Sequence, residues 1–203
     1  MRQCILHLVR HGQTAWNAEK RLQGHVDIAL NATGLAEAEL VAKEFADRTL
    51  GGIYSSPLQR AHGTAQIINR SHQHTIKLYD GLKEATYGSL EGILVDDYHL
   101  KCEEIHPQFH QLTYQERLHF KLVGDAETDF EVYQRAKPVL DEISQNHLDE
   151  EVVVVTHGGL MRAVIAMIAG PHVRDIRIQN VGCLTLVSDG SALHIQNHKR
   201  IKL

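Results

Sequence analysis

Glu151-Val152-Val153-Val154-Val155-Thr156-His157-Gly158-Gly159 runs from four consecutive valines into a threonine, a histidine and two glycines. An unbroken β-branched run predicts a strand covered on both faces, as central strands of parallel sheets are. A helix is predicted from about Leu160 to Ala169, stopped by Gly170 and Pro171. A histidine at such a strand-to-helix junction stands where open α/β sheets bind ligands. The N-terminus repeats the pattern: Gln3 to Val9 reads as a strand that ends in Arg10-His11-Gly12. Taken singly, either junction is equally well an ordinary polar loop.

The intervening chain alternates strand and helix. After a loop reaching about Ala29, Thr33 is placed to cap a helix bearing Leu35, Ala38, Ala42 and Phe45 at helical spacing. Gly51-Gly52 is expected to end that unit before a strand over Ile53-Tyr54-Ser55. Ser56 as cap and Pro57 at the first helical position start a helix to about Asn69, with Arg60 in its opening turn. Free N–H groups there favour an anion. Thr75 to Tyr79 reads as a short third strand, and the loop beyond carries Glu84, Gly88, Glu91 and Gly92.

Residues 93–122 are polar, rich in His and Glu, and read as helical in pieces. His106 and His110 stand four apart near Glu103 and Glu104, but Pro107 between them and the want of a fixed third ligand argue against a metal there. Thr128-x-x-Glu131 is a capping box for a helix with Phe130, Tyr133, Ala136, Leu140 and Ile143 on one face, which Pro138 is expected to kink or split. Cys183 to Val187 and Ala192 to Gln196 read as a hairpin around Asp189-Gly190, followed by a solvated basic tail, residues 198–203. The fold class is therefore α/β with a mostly parallel sheet and an antiparallel element near the C-terminus.

Length and charge narrow the function. The 203 residues suit one substantial domain. A net charge of −4 argues against general nucleic-acid binding and leaves small anions to local sites. Cys4, Cys102 and Cys183 form neither a disulfide framework nor a thiolate metal motif, so a reducing cytoplasmic setting is expected. No apolar run approaches the length of a membrane span or a signal-peptide core, so no membrane partner is expected.

Three strand ends thus deliver Arg10-His11, Arg60 and His157, and a loop delivers Glu84. Two permanent cations, two imidazoles and a carboxyl suit a dianionic phosphate monoester. No Gly-x-x-x-x-Gly-Lys loop and no Gly-x-Ser-x-Gly elbow occurs, so nucleotide-loop and serine-hydrolase readings lack their signatures.

These residues lie in stretches that resemble a known family. Leu8-Val9-Arg10-His11-Gly12-Gln13-Thr14, Ser55-Ser56-Pro57-Leu58-Gln59-Arg60-Ala61, Leu82-Lys83-Glu84 with Tyr87-Gly88-Ser89-Leu90-Glu91-Gly92, and Thr156-His157-Gly158-Gly159 are similar to the four signatures of the histidine phosphatase superfamily. More narrowly they resemble its phosphoglycerate mutase-like branch, and residues 23–31 extend the likeness. The resemblance implies a three-layer α/β/α sandwich forming a single domain over residues 1–203. It implies that His11 is the nucleophile and becomes a phosphohistidine, with Arg10, Arg60 and His157 on the phosphoryl oxygens and Glu84 as proton donor and then base. Asn17, Gln23, Gly24 and Gly158 would bind substrate. Neither metal nor other cofactor is implied, since the arginines and His157 would supply the positive charge. Leu90 and Ala85-Thr86 depart from the family pattern and affect the shape of the leaving-group pocket.

The expected activity is a phosphomonoesterase for small phosphorylated metabolites. The alternatives are a phosphoglycerate mutase, a phosphatase of phosphorylated protein side chains, and a catalytically inert scaffold; the presence of all five chemical residues weighs against the last. The short stretch between Gly92 and Asp129 favours hydrolysis over mutase activity, since true mutases of this branch usually carry a larger insertion there. Exposed edges in the C-terminal hairpin are compatible with a monomer or a homodimer.

Overall fold

The computed structural model describes residues 2–107, 111–172 and 176–203. In chain order the elements are β1 (Cys4–Arg10), α1 (Ala15–Ala18), α2 (Ala32–Phe45), β2 (Leu50–Ser55), α3 (Gln59–Ile68), β3 (Lys77–Leu78) and α4 (Val95–Ile105). There follow α5 (Tyr114–Leu118), α6 (Asp129–Asn146), β4 (Glu151–Thr156), α7 (Gly158–Ala169), β5 (Arg177–Ser188) and β6 (Leu193–Lys202). The strands form one sheet in the order β3-β2-β4-β1-β5-β6. The first four run parallel; β5 is antiparallel to β1, and β6 is antiparallel to β5.

The four valines explain the layering. All are fully buried, and alternate ones face opposite sides of the sheet. Val152 and Val154 join Leu6, Leu8, Leu140, Ile143 and Leu160 under α6 and α7. Val153 and Val155 join Val9, Val41, Phe45, Ile53 and Ile68 under α2 and α3. Each such burial contributes about 1.5–3 kcal/mol, so a charge at any of these positions would break a core. Helices on both faces make the expected α/β/α sandwich.

Several boundaries differ from expectation, each for a local reason. Asn31 rather than Thr33 caps α2, its side-chain oxygen accepting from Gly34 N at 2.8 Å. The apolar stripe is consequently Gly34, Ala38, Val41 and Phe45, and Leu35 is exposed. Gly51-Gly52 lies inside β2 instead of ending a unit; a Cβ at Gly51 would stand 2.1 Å from a Glu150 carboxylate oxygen. The third strand shrinks to two exposed residues. Helix α6 is not split at Pro138, which lies exposed within one continuous element.

Ser56 does not cap α3. Leu58 occupies that place without a side-chain bond, while Asp27 from the preceding loop accepts from Gln59 N at 2.8 Å. The basic tail is the end of β6: His198, Lys199 and Lys202 are exposed as expected, while Lys199 and Arg200 also pair with Glu44 of α2 at 2.8 and 2.6 Å. Residues 93–122 do contain two helices, α4 and α5. Of the His106–His110 pair, His110 lies outside the described residues. Among the described residues no helix is long and apolar enough to cross a membrane.

Candidate active site

Parallel register brings the two histidines together. Arg10 on β1 sits opposite Thr156 on β4, so the next residues, His11 and His157, leave adjacent strands side by side. His11 N donates to Thr156 O at 3.0 Å, and the imidazole centroids lie 5.1 Å apart. The neighbouring strand β2 adds Ser56 at the same edge, its N donating to Val155 O at 3.0 Å. The carboxyl ends of three adjacent strands therefore build one floor.

His11 is 2% exposed, with Nδ1 2.7 Å from Gly12 O. A carbonyl only accepts, so the neutral ring carries its proton on Nδ1 and its lone pair on Nε2. Burial first, then Arg60 and Arg10, hold its pKa well below the ordinary value, so the ring is neutral at neutral pH. Thr64 of α3 accepts from Gly12 N at 3.1 Å and fixes the turn beneath.

His157 is fully buried, its Nε2 2.8 Å from Ser56 Oγ. Burial, Arg60, His11 and Arg10 depress its pKa as well. The expectation that His157 adds positive charge is therefore corrected for the free site: it enters as a neutral hydrogen-bonding ring. The permanent charge belongs to the arginines. Arg60 NH2 donates to Gly24 O at 2.7 Å and NH1 to Val26 O at 2.9 Å, while Arg10 NH1 donates to Ile178 O at 2.5 Å. These bonds hold the two forks in place, yet Nε of each, Nδ1 of His157 and Oε1 of Gln23 are buried with no partner among the described residues. Three buried nitrogens with unused hydrogen-bonding capacity around one imidazole match the donor demand of a phosphoryl group.

Glu84 approaches from the loop after β3. Its Oε1 accepts from Ala85 N at 2.9 Å and Leu160 N at 3.0 Å, and its Oε2 from Gly159 N at 3.1 Å. The carboxyl thus caps the first turn of α7, whose dipole and free N–H groups suit an oxygen acceptor.

A cavity of about 710 Å³ opens above this floor. It is lined by Arg10, His11, Asn17, Gln23, Gly24, Arg60, Glu84 and Gly158, among others. His157 alone among the expected site residues lies behind the lining. Asn17 closes the capping box of α1, its Oδ1 accepting from Thr14 N at 3.1 Å. Gly24, at φ +53°, chiefly orients Arg60 through its carbonyl. Tyr87, Tyr98, Phe120 and Leu122 form the outer wall with Arg21, Arg117 and Lys121.

Sequence reasoning missed Ser56 as the partner of His157, and Asn180. The Asn180 amide donates to His11 O at 3.2 Å and reaches Asn17 Oδ1 at 3.3 Å, from a β5 segment in which Val181 has φ +51°. No local motif marks Asn180. Ser56 sits within a quoted signature, but its local pattern points to a helix cap.

Comparison with known proteins bears on this arrangement. Residues 6–199 match the family model described as "Histidine phosphatase superfamily (branch 1)". "Phosphoglycerate mutase-like protein 4" of Arabidopsis thaliana is 35% identical over 171 residues, covering 83% of this chain and 72% of its own. "Metal-independent phosphoserine phosphatase" of the same plant is 34% identical over 197 residues, covering 96% and 77%. The crystal structure of phosphoglycerate mutase from Bacillus anthracis str. Sterne superposes with a TM-score of 0.85 over 96% of this chain and 92% of that one, at 22% identity, a likeness of fold. With its strand ends in register and a family match over nearly its whole length, the chain belongs to the histidine phosphatase superfamily, branch 1.

Proposed function

We propose that this phosphatase hydrolyses monoesters of small phosphorylated metabolites through a phosphohistidine on Nε2 of His11. The observation that carries the reading is a buried, neutral imidazole with its lone pair on Nε2, flanked by two arginines whose Nε groups have no partner among the described residues. The Nε2 lone pair attacks phosphorus as the bond to the ester oxygen breaks, and Glu84 delivers a proton to that oxygen. Water then attacks phosphorus, Glu84 takes its proton, the P–N bond breaks and inorganic phosphate leaves. Arg10 and Arg60 neutralise charge on the equatorial oxygens, a task metals perform elsewhere, so the reaction is proposed to be metal-independent. His157, oriented by Ser56, offers Nδ1 to the same group.

The cavity is far larger than a phosphate and falls within the range of metabolite sites, so the leaving group would rest against Tyr87, Tyr98 and Phe120. The name of the Arabidopsis relative makes phosphoserine one member of the class to test. Phosphoglycerate mutase is the second reading, since a phosphoenzyme at the same site could return its phosphoryl group to a sugar acid. Phosphate release across a panel containing phosphoserine, sugar phosphates, nucleotides and a phosphopeptide, beside 3- to 2-phosphoglycerate interconversion, separates them. Hydrolysis of small esters without a metal is expected. Efficient interconversion with little hydrolysis, or a preference for the phosphopeptide, would overturn the proposal.

A further inference from the structure

Glu84 lies outside any strand, so its backbone lacks the ladder that fixes His11 and His157. Its anchor comes from His25, whose Nε2 lies 2.8 Å from Glu84 O, and above all from Arg135 of α6. Arg135 Nε and NH2 fork onto the two oxygens of Glu127 at 2.7 and 3.0 Å. Its NH1 donates to Gly81 O at 3.0 Å and Lys83 O at 2.8 Å, and NH2 donates to Glu84 O at 2.7 Å. A guanidinium has five N–H groups, and here all five have an acceptor. Glu127 completes the clasp, its Oε2 accepting from Thr86 N at 3.0 Å and its own N donating to Thr86 O at 2.9 Å. Residues before Glu84 are thus fastened to α6, and Thr86 after it to Glu127, which the same arginine holds two residues before that helix. Close approach is built in at Gly81, where a Cβ would stand 2.7 Å from Arg135 O.

We infer that Arg135, through its fork on Glu127 and its three bonds to the 81–84 backbone, is the positioning residue that sets where the Glu84 carboxyl meets the leaving oxygen. The inference rests on the reading of Glu84 as proton donor. All five N–H groups of Arg135 are taken by protein acceptors, so it acts through Glu84 and not on substrate. A lysine keeps the charge but cannot reach five acceptors in one plane. Misplacing a catalytic group by about 1 Å can cost up to about a hundredfold in rate.

The test compares kcat on p-nitrophenyl phosphate, whose leaving group departs without much help, with kcat on glycerol 2-phosphate, whose alkoxide needs a proton. Arg135→Lys is expected to lose roughly 10- to 100-fold on the glycerol ester and clearly less on the aryl ester. Combined with Glu84→Gln it should add little further loss, because both act on one step. A merely structural role would lower both rates equally and multiply with Glu84→Gln, and either result overturns the inference. Should Arg135→Lys fail to fold, Glu127→Gln weakens the fork while leaving every carbonyl contact available, and it must move the same ratio in the same direction. An unchanged ratio there overturns the inference too. Equal losses on both esters for Glu84→Gln itself would instead overturn the proton-donor reading.

Discussion

A Cβ placed on Gly159 would lie 2.4 Å from Oε1 of Glu84. The glycine is therefore the space that Glu84 occupies, and its N–H is one of the donors that hold the carboxyl. The paired glycines after His157 divide their work: a Cβ on Gly158 would meet only the Arg10 side chain, at 3.3 Å.

Gly159→Ala is expected to displace Glu84 and lower kcat on alkyl phosphates by roughly a hundredfold, with the fold retained. Binding of vanadate, which is proposed to rest on Arg10 and Arg60, should change much less. Steady-state rates and vanadate inhibition measured on the same variant check this. An alanine enzyme with normal kcat would show that Glu84 does not need its present position.

The two buried imidazoles are expected to make stability fall in acid. An unfolded histidine titrates near 6.5, whereas folded His11 and His157 resist protonation until well below that value. Between those limits the unfolded chain binds more protons, so stability rises with pH across the window. The contribution is complete above pH 6.5 and is lost as pH falls below it, by up to about 1.4 kcal/mol per pH unit for each ring. His7 and His72, also depressed by burial, add in the same direction. Urea unfolding at about pH 7.5 and about pH 5.5 should show the loss, and His157→Asn should flatten it. Equal pH dependence in both proteins would contradict neutral burial of His157.

How much of this was legible in the sequence follows from the range of each interaction. Arg10-His11 and His157 announce themselves because a β-branched run ending in polar residues and glycine is a local pattern, and register between neighbouring parallel strands does the rest. Arg60 is legible for the same reason, at the start of a helix that follows a strand. Ser56 was misread as a helix cap because its actual partner, His157, is 101 residues away. Arg135 is not legible: it flanks the apolar face of α6 with its side chain mostly buried, and nothing local says that it reaches the Glu84 loop. That the basic tail is part of a strand is not legible, because edge strands carry charge and its counter-charge, Glu44, belongs to a distant helix. Helix α2 was shifted because Asn31 and Thr33 both cap well, and only packing of Gly34 against the Gln13 backbone decides between them.

On the proposed mechanism the phosphoryl group passes through Nε2 of His11. Protein mixed with a turning-over phosphate ester, quenched at alkaline pH and weighed intact, should contain a species heavier by one phosphoryl group, mapped to His11 by fragmentation. The species should vanish on brief acidification and be absent from His11→Asn. Hydrolysis by His11→Asn at a rate near that of the unaltered chain, or a phosphoryl group found on another residue during turnover, would contradict the account.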